Sequence, residues 1–281
     1  MDPFQRHIAT CNAPPPAPLR AFHLGDRPVG FVAPGTLAVL ADAPGFFANA
    51  GHCGVALAQP TQHAGTAALG ALATHLSGAA GIRLRGEAFD VREDPAGPVL
   101  ATLDRGALPA FGIAAAGVHV NGLVRAAAGT QVWVGIRAAN KAVAPGQIDN
   151  IVAGGTPAGL DAWTTMIKEA GEEAGLSPAL AAQAQPVATL TYRMWTPQGL
   201  RRDTLECFDL ELPEGFVPRP NDGEVERFEL WPIARLFAAV RDTEAVKFNV
   251  NLVLIDLFLR EGLIDPGSMA GQALRAGLTC G

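Results

Sequence analysis

Residues 151–176, "IVAGGTPAGLDAWTTMIKEAGEEAGL", confine Glu169, Glu172 and Glu173 to five consecutive positions just beyond a glycine-rich turn. Asp161 stands where a helix N-cap belongs and Gly175 where a helix stops, so the spacing predicts a helix between them. Trp163, Met166, Ile167, Ala170 and Ala174 recur at intervals of three and four and form the predicted buried stripe. The three glutamates fall together on another face. Like charges this close destabilise a helix by a few tenths of a kcal/mol per pair, and the C-terminal half of a helix disfavours anions. Only Lys168 lies nearby to compensate, so the patch calls for a cation. Mg²⁺ takes oxygen ligands and is commonly held by one or two carboxylates together with substrate phosphates. The competing explanation is a solvated helix face.

The rest of the chain narrows the classes. With 281 residues, 49% hydrophobic and 17% charged, and a mean hydropathy of +0.20, it has the composition of a folded protein. No apolar run reaches the length of a membrane span, and the first residues lack the order of a signal peptide, so a cytoplasmic protein is expected. A net charge of -6 gives no general attraction to nucleic acid or to anionic lipid. Cys11, Cys53, Cys207 and Cys280 are isolated, which predicts reduced, buried thiols and no zinc site.

Two units are expected. Residues 1–110 read as an accessory α+β domain: the proline run at 14–16 breaks any opening helix, and a hairpin spans 22–32 with its turn at Gly25-Asp26. Helices follow near 35–42 and 64–79, and "GIRLRGEAFDVRED" reads as a second hairpin. Residues 111–281 change character. Extended runs at 112–124, 131–138 and 149–155 precede the acidic helix; a strand pair at 185–196 and 201–212, a strand at 223–233, a helix start at 234–240 and a helix at 247–262 follow it. Mixed strands flanked by helices predict an α+β fold with layers.

With these residues in view, the acidic stretch resembles the Nudix box. That pattern runs Gly, five residues, Glu, seven residues, then Arg-Glu-aliphatic-x-Glu-Glu-x-Gly-aliphatic. Its second half is matched by Lys168-Glu169-Ala170-Gly171-Glu172-Glu173-Ala174-Gly175-Leu176. Lys168 replaces the arginine, and with Gly154 aligned the first glutamate is replaced by Leu160; aligned on Gly155, the loop brings Asp161 near that place. "FHLGDRPVGFVAP", "VWVGIRAANKAVAPGQIDNIVAGG" and "VKFNVNLVLIDLFLREGLI" are similar to the branch that joins a Nudix domain to an N-terminal domain of unknown function. That branch includes the Nudix part of thiamine-pyrophosphokinase fusion proteins.

The resemblance implies an α/β/α sandwich with a mixed sheet, preceded by a small α+β domain. It also implies Mg²⁺ (or Mn²⁺) held by Glu169, Glu172 and Glu173, and hydrolysis of a small organic or nucleoside diphosphate, with thiamine diphosphate or its oxidised forms as the candidate substrate. A non-catalytic ligand-binding or regulatory module is the alternative. Glu226 or Glu224, in the loop after the box, is expected to supply a general base or to touch substrate, the alternative being that both are rim charges. Arg137 and Lys141 are expected either to bind the terminal phosphate or to pair with surface acids, and Gly154 and Gly155 either to let the backbone approach metal or phosphate or simply to bend the strand into its loop. Arg193, Arg201, Arg202, Tyr192, Trp195 and His119 are weaker candidates. The first domain serves either as a lid or specificity wall or as a dimerisation surface.

Overall fold

The computed structural model describes residues 2–49, 51–141, 143–221 and 223–279. Cys280 lies outside them. Cys11, Cys53 and Cys207 are buried and free, and burial pushes the Cys11 thiol up to about 12 and that of Cys53 to about 11.

The chain opens with a helix, α1 (Gln5–Cys11), which ends before the proline run instead of being broken by it. Phe4, Ile8 and Cys11 recur at helical spacing and are buried with Leu190, Tyr192 and Phe258 of the second half. The expected unit 1–110 therefore loses its first segment to the other core. Strands β1 (Arg20–Leu24) and β2 (Arg27–Val32) form the expected hairpin, turned by Gly25 at φ +60°. After α2 (Pro34–Leu40), strands β3 (Phe46–Ala48) and β4 (His52–Val55) complete a four-stranded sheet in the order β2-β1-β4-β3. Helix α3 (Gln62–Ala80) starts at Thr61, whose hydroxyl accepts from the Ala64 N–H at 3.2 Å.

The second predicted hairpin does not form as read. Only β5 (Ala88–Val91) is extended in that run, and it pairs with β6 (Ala101–Asp104). The Asp104 carboxylate instead takes the N–H groups of Arg85 and Gly86 at 2.9 and 2.7 Å, holding them out of a strand. Helix α4 (Leu108–Phe111) closes this half, and one hydrophobic cluster gathers its buried residues from Phe22 to Ile113.

The second half runs β7 (Ala114–Ala126), β8 (Gly129–Arg137), β9 (Ile148–Asp149), β10 (Val152–Gly155), α5 (Ala162–Ala174), α6 (Pro178–Ala181), β11 (Gln185–Thr196), β12 (Gly199–Glu211), β13 (Val225–Pro232), α7 (Ile233–Asp242), α8 (Val250–Arg260) and α9 (Met269–Gly277). The strands make one seven-stranded mixed sheet: β7 and β12 pair in parallel from Ala114↔Arg202 to Leu123↔Glu211, and the other pairings are antiparallel. Side chains alternate across it. Val118, Val120, Phe208 and Leu210 pack on Met166, Ala170 and Ala174 of α5, whereas Leu123, Val134, Leu205 and Cys207 pack toward α8. Nine of the eleven residues of α8 are buried. At about 1.5–3 kcal/mol for each large apolar side chain removed from water, that helix anchors its layer. The result is the expected α/β/α arrangement in a mixed α+β protein.

One irregularity positions the site. Along its second edge β7 pairs first with β10 (Gly117–Val120) and then with β8 (Gly122–Ala126), so the sheet divides there. The run expected as one strand over 149–155 is accordingly split into β9 and β10, because Asn150 between them turns its amide inward to Asn121 and His119.

Candidate functional site

Strand β10 delivers Ala153, Gly154 and Gly155 to this division, and α5 returns over them after a short loop. The helix begins as the residues predict. The Asp161 carboxylate accepts from the Thr164 N–H at 2.6 Å, and that bond holds its pKa below the ordinary value. Gly175 ends the helix at φ +66°. Asp161 is thus engaged as a cap rather than as a replacement for the missing first carboxylate. Trp163, expected in the buried stripe, is 40% exposed and meets Phe208 edge-on at 6.0 Å, while the stripe is carried by Met166, Ala170 and Ala174.

The three glutamates take three different positions. Glu173 is buried and accepts from the Ala153 N–H at 2.8 Å, fastening the helix to the strand. Glu169 lies on Gly154: a Cβ there would stand 2.6 Å from both its Cγ and its Cδ. Burial pushes the Glu169 carboxyl up from its ordinary value; the charges of Glu172 and Glu224 add to this and Lys168 opposes it. Glu172 is exposed, and the Lys168 ammonium bridges it at 2.6 Å and Glu169 at 3.3 Å. The expected convergence is therefore partial. Among the described residues no three acidic, histidine or cysteine side chains form a ready cage for a metal.

The donor set nevertheless fits a hard divalent cation. All the ligands on offer are carboxylate oxygens, and Lys168 already shows that one cation can sit between Glu169 and Glu172. Glu224, just ahead of β13, joins them electrostatically, since its charge is among those that raise the Glu169 pKa. Its own carboxylate is 2.7 Å from the Lys141 Nζ, so Lys141 is paired there. Glu226 is the extra residue of a bulge, between Val225↔Arg137 and Arg227↔Ile136, and its carboxylate pairs with Arg227 at 2.8 Å. Of the two later carboxylates, Glu224 acts on Glu169 through its charge, and Glu226 pairs with its neighbour.

Arg137 does not reach this group. Its guanidinium is buried, 2.6 Å from Asp149, and it donates to the carbonyls of Val143 and Ala144 at 3.0–3.2 Å. It holds Ala144 at φ +51°, a left-handed conformation that alanine rarely adopts. At each of the two glycines the space a side chain would take is filled by protein. Glu169 occupies it at Gly154, and the Phe89 ring at Gly155, 2.5 Å from where a Cβ would be. Tyr192 is buried with its hydroxyl on Asp203, to which Arg201 also donates at 2.6 Å, so neither is presented for stacking or for phosphate. Two surface cavities, of about 400 and 340 Å³, are lined by none of the α5 glutamates.

Sequence reasoning missed a buried polar chain on the α8 side of the sheet. His119 Nδ1 lies 2.9 Å from Asn150 Oδ1, the Asn150 amide donates to Asn121 at 2.8 Å, and the Asn121 amide to Asp209 at 2.9 Å. Burial alone would raise the Asp149 carboxyl, but Lys247 at 2.9 Å, His119 and Arg137 outweigh it and hold it low. The available signal was a pair of polar residues at alternate positions of an apolar run, "VHVNG".

Over 185 residues the chain is 42% identical to Nudix hydrolase 20, chloroplastic, of Arabidopsis thaliana, covering 66% of this chain and 50% of that protein. The chain belongs to the Nudix superfamily. Nudix hydrolase 24, chloroplastic, of the same organism is 40% identical over 185 residues, covering 66% and 51%. This Nudix chain thus spans about half the length of the curated relatives it matches. The solved structure of DR0079 from Deinococcus radiodurans aligns with a TM-score of 0.45 at 18% identity, covering 68% of this chain and 98% of that one. No family model matches the chain. Among the described residues no helix is long and apolar enough to cross a membrane.

Proposed function

We propose that this Nudix chain hydrolyses the P–O–P bond of a small diphosphate with the help of a divalent cation, Mg²⁺ or Mn²⁺. The observation that carries the reading is the seat of Glu169: a carboxylate laid against a glycine backbone, desolvated, and acted on by the charges of Glu172 and Glu224. Glu169, Glu172 and Glu173 would hold the cation, whose chemistry would be to offset phosphoryl charge and make a water more acidic. Glu173 keeps the helix on β10 through Ala153. Lys168 and Lys141, each paired with a carboxylate of this group, supply ammonium donors for the diphosphate. Thiamine diphosphate or an oxidised form of it is the substrate to which the branch resemblance points, with a nucleoside diphosphate as the variant.

Phosphate release from a panel of diphosphates, with and without Mg²⁺, tests this on wild type and Glu173→Gln. Glutamine retains an oxygen for the Ala153 N–H, so the substitution removes charge and spares the fastening. Wild type should release phosphate only with Mg²⁺, and Glu173→Gln should lose about a hundredfold of that activity. A wild type that binds a diphosphate and cleaves none would instead favour a non-catalytic binding module, the reading that Leu160 in place of the first box carboxylate supports.

A further inference from the structure

Neighbouring residues of a strand face opposite sides, and β10 uses this at its end. Gly154 opens toward α5 and admits Glu169; Gly155 opens the other way and admits Phe89 from β5. Phe89 is only 5% exposed and belongs to the core of the N-terminal unit, so its ring has little freedom to yield. The loop that follows Gly155 is tied to the same strand. Ala158 donates its N–H to the Ala88 carbonyl at 2.8 Å, and Gly159, at φ +79°, donates to Asp90 Oδ1 at 3.2 Å. Asp90 is itself held, its other oxygen accepting from Arg92 at 2.9 Å. Three successive residues of β5 therefore grip the segment between Gly155 and Gly159, immediately ahead of the cap of the carboxylate helix.

We propose that the N-terminal unit is a brace for this loop, with Phe89 and Asp90 acting as positioning residues for Glu169. Neither touches the carboxylates. They fix the backbone on which Glu169 is seated and the point where α5 begins. A side chain at 155 would displace the ring or the strand, which accounts for a second glycine where Glu169 alone needs one. The proposal rests on the reading of the α5 carboxylates as the cation site.

The test combines amide hydrogen exchange, Mn²⁺ titration calorimetry and steady-state hydrolysis on the full chain. Asp90→Ala removes one contact of the brace from a side chain outside the hydrophobic core. It should speed exchange at Gly159, weaken Mn²⁺ binding by about tenfold or more, and lower kcat more than it raises KM. Asp90→Asn keeps an acceptor oxygen and should restore most of each. Phe89→Ala should act likewise at Ala158 and Gly159, with Phe89→Leu intermediate; if Phe89→Ala unfolds, the Asp90 pair decides. The proposal is overturned if Asp90→Ala frees the Gly159 amide while Mn²⁺ affinity stays at the wild-type value, or if exchange at Gly159 does not change. A wild type that binds Mn²⁺ but cleaves nothing would sink the hydrolase reading alone, and one that binds no Mn²⁺ would sink both.

Discussion

Gly154 shows how a single missing side chain shapes the site. Its bare backbone is the surface on which Glu169 rests, and a Cβ would collide with the flexible end of that side chain, not with backbone. Gly154→Ala should therefore leave the melting temperature nearly unchanged, because Glu169 can swing away, yet lower diphosphate hydrolysis by about ten- to a hundredfold. Thermal melts alongside kcat check this, and full activity in the variant would separate the seat from the chemistry. At this scale the three box glutamates were legible because helical spacing alone places them on one element. Arg137 and Glu226 were not. Each is a charged residue at a strand end, and which charge it meets depends on remote or bulged partners: Asp149 and the Val143 carbonyl for one, the turned-out Arg227 for the other.

Among the elements, the divided sheet carries a cost that pH should reveal. His119 on β7 is fully enclosed with Asn150 and Asn249, and burial, reinforced by Lys247, pushes its pKa down to about 4 from 6.5. The unfolded chain therefore binds the extra proton first. Its contribution to stability is complete above pH 6.5 and is lost as the pH falls from there toward 4, by about 3 kcal/mol over that window. The lowered pKa of Asp149 adds a loss of the same sign at still lower pH. Urea unfolding at pH 8 and pH 5 should show the decline, and His119→Gln should flatten it; an unchanged slope would assign the titration elsewhere. Most elements followed from periodicity and turn residues, including α5 with its cap and stop. The split of β9 from β10 did not, because Asn150 leaves the strand to satisfy polar groups on another strand.

On the scale of the whole molecule, the two halves are interleaved rather than strung in sequence. Helix α1 precedes the N-terminal unit in the chain but packs with α8 and α9: a Cβ on Gly277 would lie 2.6 Å from Ile8 Cγ2. Ile8→Ala should cost about 2–5 kcal/mol in denaturant unfolding, and the loss should appear in the transition of the C-terminal half. A change confined to the N-terminal unit would contradict this placement. The sequence by itself determined the helix of glutamates, its cap, its glycine stop, the mixed α+β class and the superfamily, since each rests on residues close together in the chain. Which carboxylates share a space, which cations they meet, why β10 ends in two glycines and where α1 belongs were decided only by tertiary structure. Those outcomes depend on contacts between distant segments, and local spacing carries no information about which distant surface will fill a given gap.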